Sequence, residues 1–180
     1  MNAGQKALKK VKAYPLSDDD IRKVLGVTIK IWNYPNLENL ESVDDLFDEQ
    51  GRAILLYPNN GPMSGHWCCL MNRKNGIEYF DSYGNCPEEP KSEVPQDKLE
   101  EWNCDRPFLT RLLKGSGKKV WYNHHTFQVS KGDVATCGRH CCSRLLYAPF
   151  SLEKYAGILK KSGLSPDDFV CGLTADKLKK

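Results

Sequence analysis

The chain has 180 residues, 40 % of them hydrophobic and 27 % charged, with a formal net charge of +3. This suits one domain with a single sizeable core and excludes collagen-like, coiled-coil and wholly disordered chains. No apolar run approaches the roughly 20 residues that span a bilayer, and the lysine-rich start lacks the apolar centre of a signal peptide, so a soluble intracellular protein without membrane association is expected.

Residues 1 to 13 read as a flexible basic arm, with Lys6, Lys9, Lys10 and Lys12 and only Leu8 and Val11 as apolar anchors. Residues 14 to 172 form the folded domain, and residues 173 to 180 a basic tail. Ser17 followed by three aspartates predicts a capped helix whose Ile21, Val24 and Leu25 make an i, i+3, i+4 stripe ending at Gly26. Val27 to Trp32 has strand character and is interrupted by Asn33-Tyr34-Pro35-Asn36. Ser42 caps a short helix through Val43, Leu46 and Phe47, and Ala53 to Tyr57 reads as a buried strand. The Pro58 to Pro62 loop stands just before Gly65-His66-Trp67, where it could rim a cleft.

His66 to Met71 and Ile77 to Asp81 are strand-like runs joined near Asn75-Gly76, a strong hairpin signal. Residues 85 to 107 are polar, acidic and Pro-rich, a surface excursion with a helix over Asp97 to Trp102. Phe108, Leu109, Leu112 and Leu113 form a helical stripe stopped by Gly115-Ser116-Gly117. Lys119 to Tyr122 and Thr126 to Val129 have strand character. Helices are expected to begin at Cys137, after Ser151, and at Pro166 behind Ser165. Together these elements predict an α+β domain, a mixed central sheet flanked by helices.

Eight cysteines without a secretion signal point to reduced thiols. Cys137 stands apart, because a thiol at a helix start lies beside unpaired N–H groups and the positive end of the macrodipole, which favour thiolate. A thiol nucleophile needs an imidazole, a group to orient it and oxyanion donors. His66, at the head of a strand after a Gly-containing loop, is the leading base. His140 sits inside the Cys137 helix and points around it.

The hairpin decides the orienting acid. A loop centred between Arg73 and Lys74 places Asp81 opposite His66, whereas a two-residue Asn75-Gly76 turn places it opposite Leu70. Either register puts Asp81 on the His66 face, while Glu78 points away. Asp81 is therefore preferred, with a loop longer than two residues as the implied condition. Gln128 is the expected side-chain oxyanion donor beside the Cys137 N–H, with Asn123 as the alternative. Gly65, Trp67 and Gly138 are candidate substrate-cleft residues, Trp67 having a core role as well.

The ordered set Gly65-His66-Trp67, Tyr79-Phe80-Asp81-Ser82-Tyr83-Gly84, Gln128 and Cys137-Gly138 resembles the adenovirus maturation protease and the ubiquitin-like-protein-specific cysteine proteases. The short chain, Leu16 to Ile21 and Ile54 to Tyr57 look most like maturation proteases of virophages and polinton-like viruses. The resemblance spans residues 14 to 170. It implies a permuted papain-like fold and a thiol endopeptidase with His66, Asp81, Gln128 and Cys137 as its catalytic set. It further implies virion precursors, capsid proteins among them, as substrates in the infected cell. In the adenovirus enzyme it also implies activation by DNA and by a disulfide-joined peptide, of which this sequence shows only a basic arm suited to weak nucleic-acid contact.

Other readings predict other observations. A protease for a ubiquitin-like modifier shares the chemistry and differs in substrate. A catalytically silent virion scaffold or nucleic-acid-binding module would leave Cys137 inert. A zinc site among Cys137, His140, Cys141 and Cys142, or at Cys68 and Cys69, is disfavoured because paired Cys-x-x-Cys spacing is absent, so no metal or other cofactor is expected.

Overall fold

A computed structural model describes residues 3 to 178 of the chain. Two helices come first, α1 (Ala3–Ala13) and α2 (Asp18–Leu25), followed by strand β1 (Lys30–Asn33), 3-10 turns at Tyr34–Asn39 and Val43–Leu46, and strand β2 (Arg52–Pro58). The hairpin β3 (Gly65–Arg73) and β4 (Gly76–Phe80) leads to helices α3 (Gln96–Glu101) and α4 (Phe108–Gly115) and to strand β5 (Val120–Tyr122). Three helices close the chain: α5 (Cys137–Leu146), α6 (Leu152–Lys161) and α7 (Pro166–Leu178).

The strands form one mixed sheet in the order β1-β2-β3-β4-β5, with the outer pairs parallel and the inner pairs antiparallel. Alternation along the central strands divides the core into two layers. Ala53, Leu55, Tyr57, Cys68, Leu70, Ile77 and Tyr79 pack with Tyr34, Leu37 and the α4 stripe. Ile54, Leu56, Trp67, Cys69, Met71 and Phe80 pack with α2, α5 and Tyr155 of α6. This is the α+β architecture the sequence predicts, with helices on both faces of one sheet.

Local signals explain most boundaries. Ser17 and Asp20 close a reciprocal capping box on α2, the Ser17 hydroxyl accepting from the Asp20 N–H. The Ser151 hydroxyl accepts from the Lys154 N–H, and the Ser165 hydroxyl from the Asp168 N–H. Across the sheet, Arg144 of α5 is fully buried and grips Glu78 of β4 through two contacts, Nε–Oε1 2.8 Å and Nη2–Oε2 3.0 Å. A paired buried charge of this kind fixes how α5 lies on the strand, since either partner alone would be left costly and uncompensated.

Several expectations change. Residues 3–13 are not a flexible arm but a helix lying on α7, with Lys9 paired to Asp133 at 3.0 Å and Lys12 to Asp168 at 2.6 Å. The basic tail continues α7 to Leu178, and residues 1, 2, 179 and 180 lie outside the described residues. Thr126 to Val129 is not a strand, because the N–H groups of Phe127 and Gln128 both donate to the Ser82 carbonyl, at 2.8 and 3.0 Å. The Ser42-capped segment closes as a 3-10 turn.

The hairpin turn is also new. Arg73 pairs with Gly76, so the turn is the two residues Lys74 and Asn75, and the expected longer loop is absent. Gly76 opens β4 at φ 143°, where a Cβ would lie 2.2 Å from the Lys119 carbonyl oxygen. The missing side chain thus serves the close approach of β5 as much as the turn.

Candidate active site

The site lies where the start of β3, the end of β4 and the start of α5 meet. Carrying the observed register one residue past Phe80 sets Asp81 opposite Cys68, two positions from His66 on the same face. Asp81 reaches His66 along the diagonal of the ladder, a separation a carboxylate and an imidazole readily close. Its Oδ1 is 3.0 Å from His66 Nε2, although the approach falls outside linear N–H···O geometry. The same oxygen accepts from the Tyr83 N–H at 2.7 Å, and the Tyr83 ring stacks on the imidazole with centroids 5.0 Å apart.

The Cys137 side chain, in the first turn of α5, lies beside His66, close enough for the imidazole to set its proton affinity. With Nε2 against Asp81, Nδ1 is the imidazole nitrogen left for the thiol. Burial pushes the Cys137 thiol up, but the hydrogen bond and charge of His66, with the N–H groups of Trp67 and Gly138, outweigh it and leave the pKa below its ordinary value. Burial likewise opposes charge on His66, and the Cys68 sulfur, Asp81 and Cys137 overcome it, holding the imidazole well above its usual value. Both shifts favour a thiolate–imidazolium pair.

The other shifted thiols move the opposite way. Burial raises Cys68 to about 12, Cys104 and Cys171 to about 11, and Cys86, Cys141 and Cys142 above the ordinary range. Environment thus separates Cys137 from the cysteines crowded around it.

The remaining predicted residues fall in different places. Gln128 is buried; its Oε1 accepts from the Ser82 hydroxyl at 2.8 Å and its Nε2 donates to the Val134 carbonyl at 3.4 Å, leaving one amide hydrogen. It therefore links the turn after Asp81 to the loop before Cys137. Asn123 has both amide hydrogens engaged, by the Asp81 carbonyl at 2.6 Å and the His125 carbonyl at 3.0 Å, while its oxygen accepts from the Asp81 N–H at 2.9 Å. It braces the Asp81 backbone and has no donor left for an oxyanion.

Gly65, Trp67 and Gly138 are packing positions here. A Cβ on Gly65 would sit 1.8 Å from the Tyr57 carbonyl oxygen, and one on Gly138 would press Leu16 and the Trp67 ring at 3.1 Å. Trp67 is in the core and donates its indole N–H to the Leu16 carbonyl at 3.0 Å.

Sequence reasoning gave Cys68 and Tyr83 no role beside His66. Cys68 donates to Asp81 Oδ2 at 3.3 Å and accepts from the Tyr79 hydroxyl at 3.1 Å. Placing the turn at Lys74-Asn75 would have found it. Cys137, His140, Cys141 and Cys142 do not converge on a metal geometry; among the described residues, the ligand-type group that does is His66, Cys68 and Asp81.

No protein-family profile matches the chain. A curated relative does: an uncharacterized protein, V9, of Sputnik virophage is 35 % identical over 174 residues, covering 94 % of this chain and 99 % of that protein. The chain belongs to the V9 family. Solved structures similar to this chain include the central domain of the uncharacterized Lpg1148 protein of Legionella pneumophila, with 20 % identity, TM-score 0.46 and coverage of 92 % and 96 % of the two chains. The C-terminal Ulp1 protease domain in complex with Smt3, the yeast ortholog of SUMO, is similar at 18 % identity and TM-score 0.43, covering 97 % and 83 %. Among the described residues of this chain, no helix is long and apolar enough to cross a membrane.

Proposed function

We propose that this chain is a cysteine endopeptidase that processes virion precursor proteins, capsid proteins among them. The observation that carries the reading is the convergence of Cys137, at the start of α5, on a His66 whose Nε2 lies 3.0 Å from Asp81. His66 takes the Cys137 proton, the thiolate attacks the scissile carbonyl carbon, and the N–H of Cys137 with the remaining Gln128 amide hydrogen receives the oxyanion. The imidazolium then protonates the leaving amine, and water, deprotonated by His66, hydrolyses the thioester. Asp81 orients the imidazole, while Tyr83 limits its rotation from the side.

The virion substrate follows from the resemblance to maturation proteases, and the virophage relative supports it. The test is incubation of the protein with the capsid precursors of its virus, with mass spectrometry of new termini. New termini are expected with the native chain and none with Cys137→Ala. Cleavage retained by Cys137→Ala would overturn the nucleophile. Hydrolysis of a ubiquitin-like-modifier conjugate with the capsid precursors left intact would replace the substrate.

A further inference from the structure

His66 and Asp81 are joined by a third buried side chain, Cys68, that the peptidase mechanism does not need. Cys68 Sγ is 3.3 Å from Asp81 Oδ2, and Asp81 Oδ1 is 3.0 Å from His66 Nε2. Ligand atoms of the three residues lie within 4.8 Å of one another, and all three residues are buried. His66 is 7 % exposed, and its buried Nε2 makes no hydrogen bond of acceptable geometry, so its lone pair or N–H points into the group without a matched partner.

We infer that His66 Nε2, Cys68 Sγ and the Asp81 carboxylate form a zinc-binding site that switches the catalytic base off. Metal binding itself does not depend on the proposed peptidase reading; the inhibitory consequence does. Imidazole, thiolate and carboxylate are the donors that hold Zn²⁺, and three protein ligands leave one position for solvent. A tetrahedral ion with bonds of about 2.0–2.3 Å spaces its ligands ~3.3–3.8 Å apart. The 3.0 and 3.3 Å spacings to Asp81 lie close to this range, and the third, within 4.8 Å, closes to it by a side-chain shift of about 1 Å.

On binding, Cys68 releases its proton to solvent as the Zn–S bond forms, and the hydrogen bond from Cys68 to Asp81 is lost. Nε2 likewise releases its proton to solvent and gives the lone pair to the metal. The ring is then a neutral, metal-bound imidazole with its one proton on Nδ1: a far weaker acid toward the leaving amine than imidazolium, and without a lone pair to take a proton from Cys137 or from water. Zinc would thus stop the reaction without touching the nucleophile.

The test uses the full chain under a phosphine reductant, with Co²⁺ as a spectroscopic probe and Zn²⁺ as competitor. In Cys137→Ala, one equivalent of Co²⁺ should give a near-ultraviolet thiolate-to-metal charge-transfer band, which one equivalent of Zn²⁺ removes. Cys68→Ser in the same background should lose that band while its metal-free circular dichroism melt is kept. If Cys68→Ser does not fold, His66→Ala in the Cys137→Ala background should lose Co²⁺ binding instead.

A band absent from Cys137→Ala, or one that survives Cys68→Ser, overturns the site. Retained Co²⁺ binding in the His66→Ala variant does the same. None of these readings requires catalysis, so an inactive protein and an absent metal site are separate results. In the active chain, Cys68→Ser should raise the Zn²⁺ concentration needed for half-inhibition at least ten-fold; an unchanged value would also overturn the mechanism.

Discussion

Two buried histidine–aspartate pairs in this molecule share one dimension and behave oppositely. His66 Nε2 is 3.0 Å from Asp81, and His140 Nε2 is 3.0 Å from Asp167. Yet His66 is raised well above its usual pKa, while burial lowers His140 despite its aspartate. The difference lies in what else surrounds each pair. His66 also has the Cys68 sulfur beside it, the largest upward influence on the imidazole, and the Cys137 thiol, which can lose a proton to it. At His140, Nδ1 has no partner, and Asp167 is shared with the Thr136 hydroxyl at 2.5 Å and the Val129 N–H at 3.1 Å. An aspartate alone does not make a buried histidine basic; the third group decides.

The largest test of that contrast exchanges the histidines one at a time. His66→Ala should lower kcat/KM on a cleaved precursor by about 10²–10⁴, the usual share of a general base. His140→Ala should leave kcat/KM per folded molecule within a few-fold and appear instead as lower stability. If His140→Ala removed activity from a chain that still folds, the assignment of roles would be reversed.

Asp167 is the next largest effect. Asp167→Ala strands three donors, on His140, Thr136 and Val129, and should cost about 2–4 kcal/mol, since each buried donor left unsatisfied costs about 1–3 kcal/mol and partial relaxation recovers some. Urea unfolding measures it. A loss below about 0.5 kcal/mol would show that the pair does not hold α7 to the loop before Cys137.

Acid should reveal the same cluster. His140 faces Asp167 from α7 and His66 from β3, and its folded pKa is below its unfolded one, so the folded state binds fewer protons there. Its contribution is complete above the unfolded histidine value of about 6.5 and is lost as pH falls below it. Asp167, also lowered in the folded state by the hydrogen bonds of His140, Thr136 and Val129, adds a second loss as pH falls below its unfolded value near 4. Thermal melts from pH 7.5 to 4.5 should fall more steeply in the native chain than in His140→Gln. Parallel slopes would remove His140 as the cause.

What the sequence could show follows the same division between local and convergent information. The α2 cap, the β2 run, the hairpin and the start of α5 depend on neighbours within a few residues, and they were legible. The placing of Asp81 with His66 could be anticipated because strand alternation survives an error in register: the two registers weighed from the sequence and the observed one all keep Asp81 on the His66 face. Cys68 was missed because its role depends on which of those registers is real. The clamp around Asp167 was not legible, since it joins Val129, Thr136 and His140 to a helix start about 30 residues downstream. The same holds for the Arg144–Glu78 pair between α5 and β4. In residues 3–13, lysine content suggested a loose arm; Leu8, Val11 and the aliphatic stem of Lys12, at i, i+3 and i+4, form the stripe that docks the helix.

That docked helix sets the smallest prediction. Lys12 and Asp168 are each about a quarter exposed and Lys9 and Asp133 more than half, so each pair should be worth about 0–1 kcal/mol and weaken with salt. Their charge is partly matched within the protein, while Lys6 and Lys10 stand exposed one helical turn apart. Nucleic acid is therefore offered little unmatched charge. Anisotropy titrations of labelled duplex DNA across salt concentrations should give a slope in log K against log salt no steeper than about −2, the value for two phosphate contacts. Lys6→Ala with Lys10→Ala should flatten that slope, whereas Lys9→Ala with Lys12→Ala should change stability and leave the slope unaltered. A slope near −5 in the native chain would mean that DNA breaks the pairs to Asp133 and Asp168, and would tie the loop before Cys137 to nucleic-acid binding through α1.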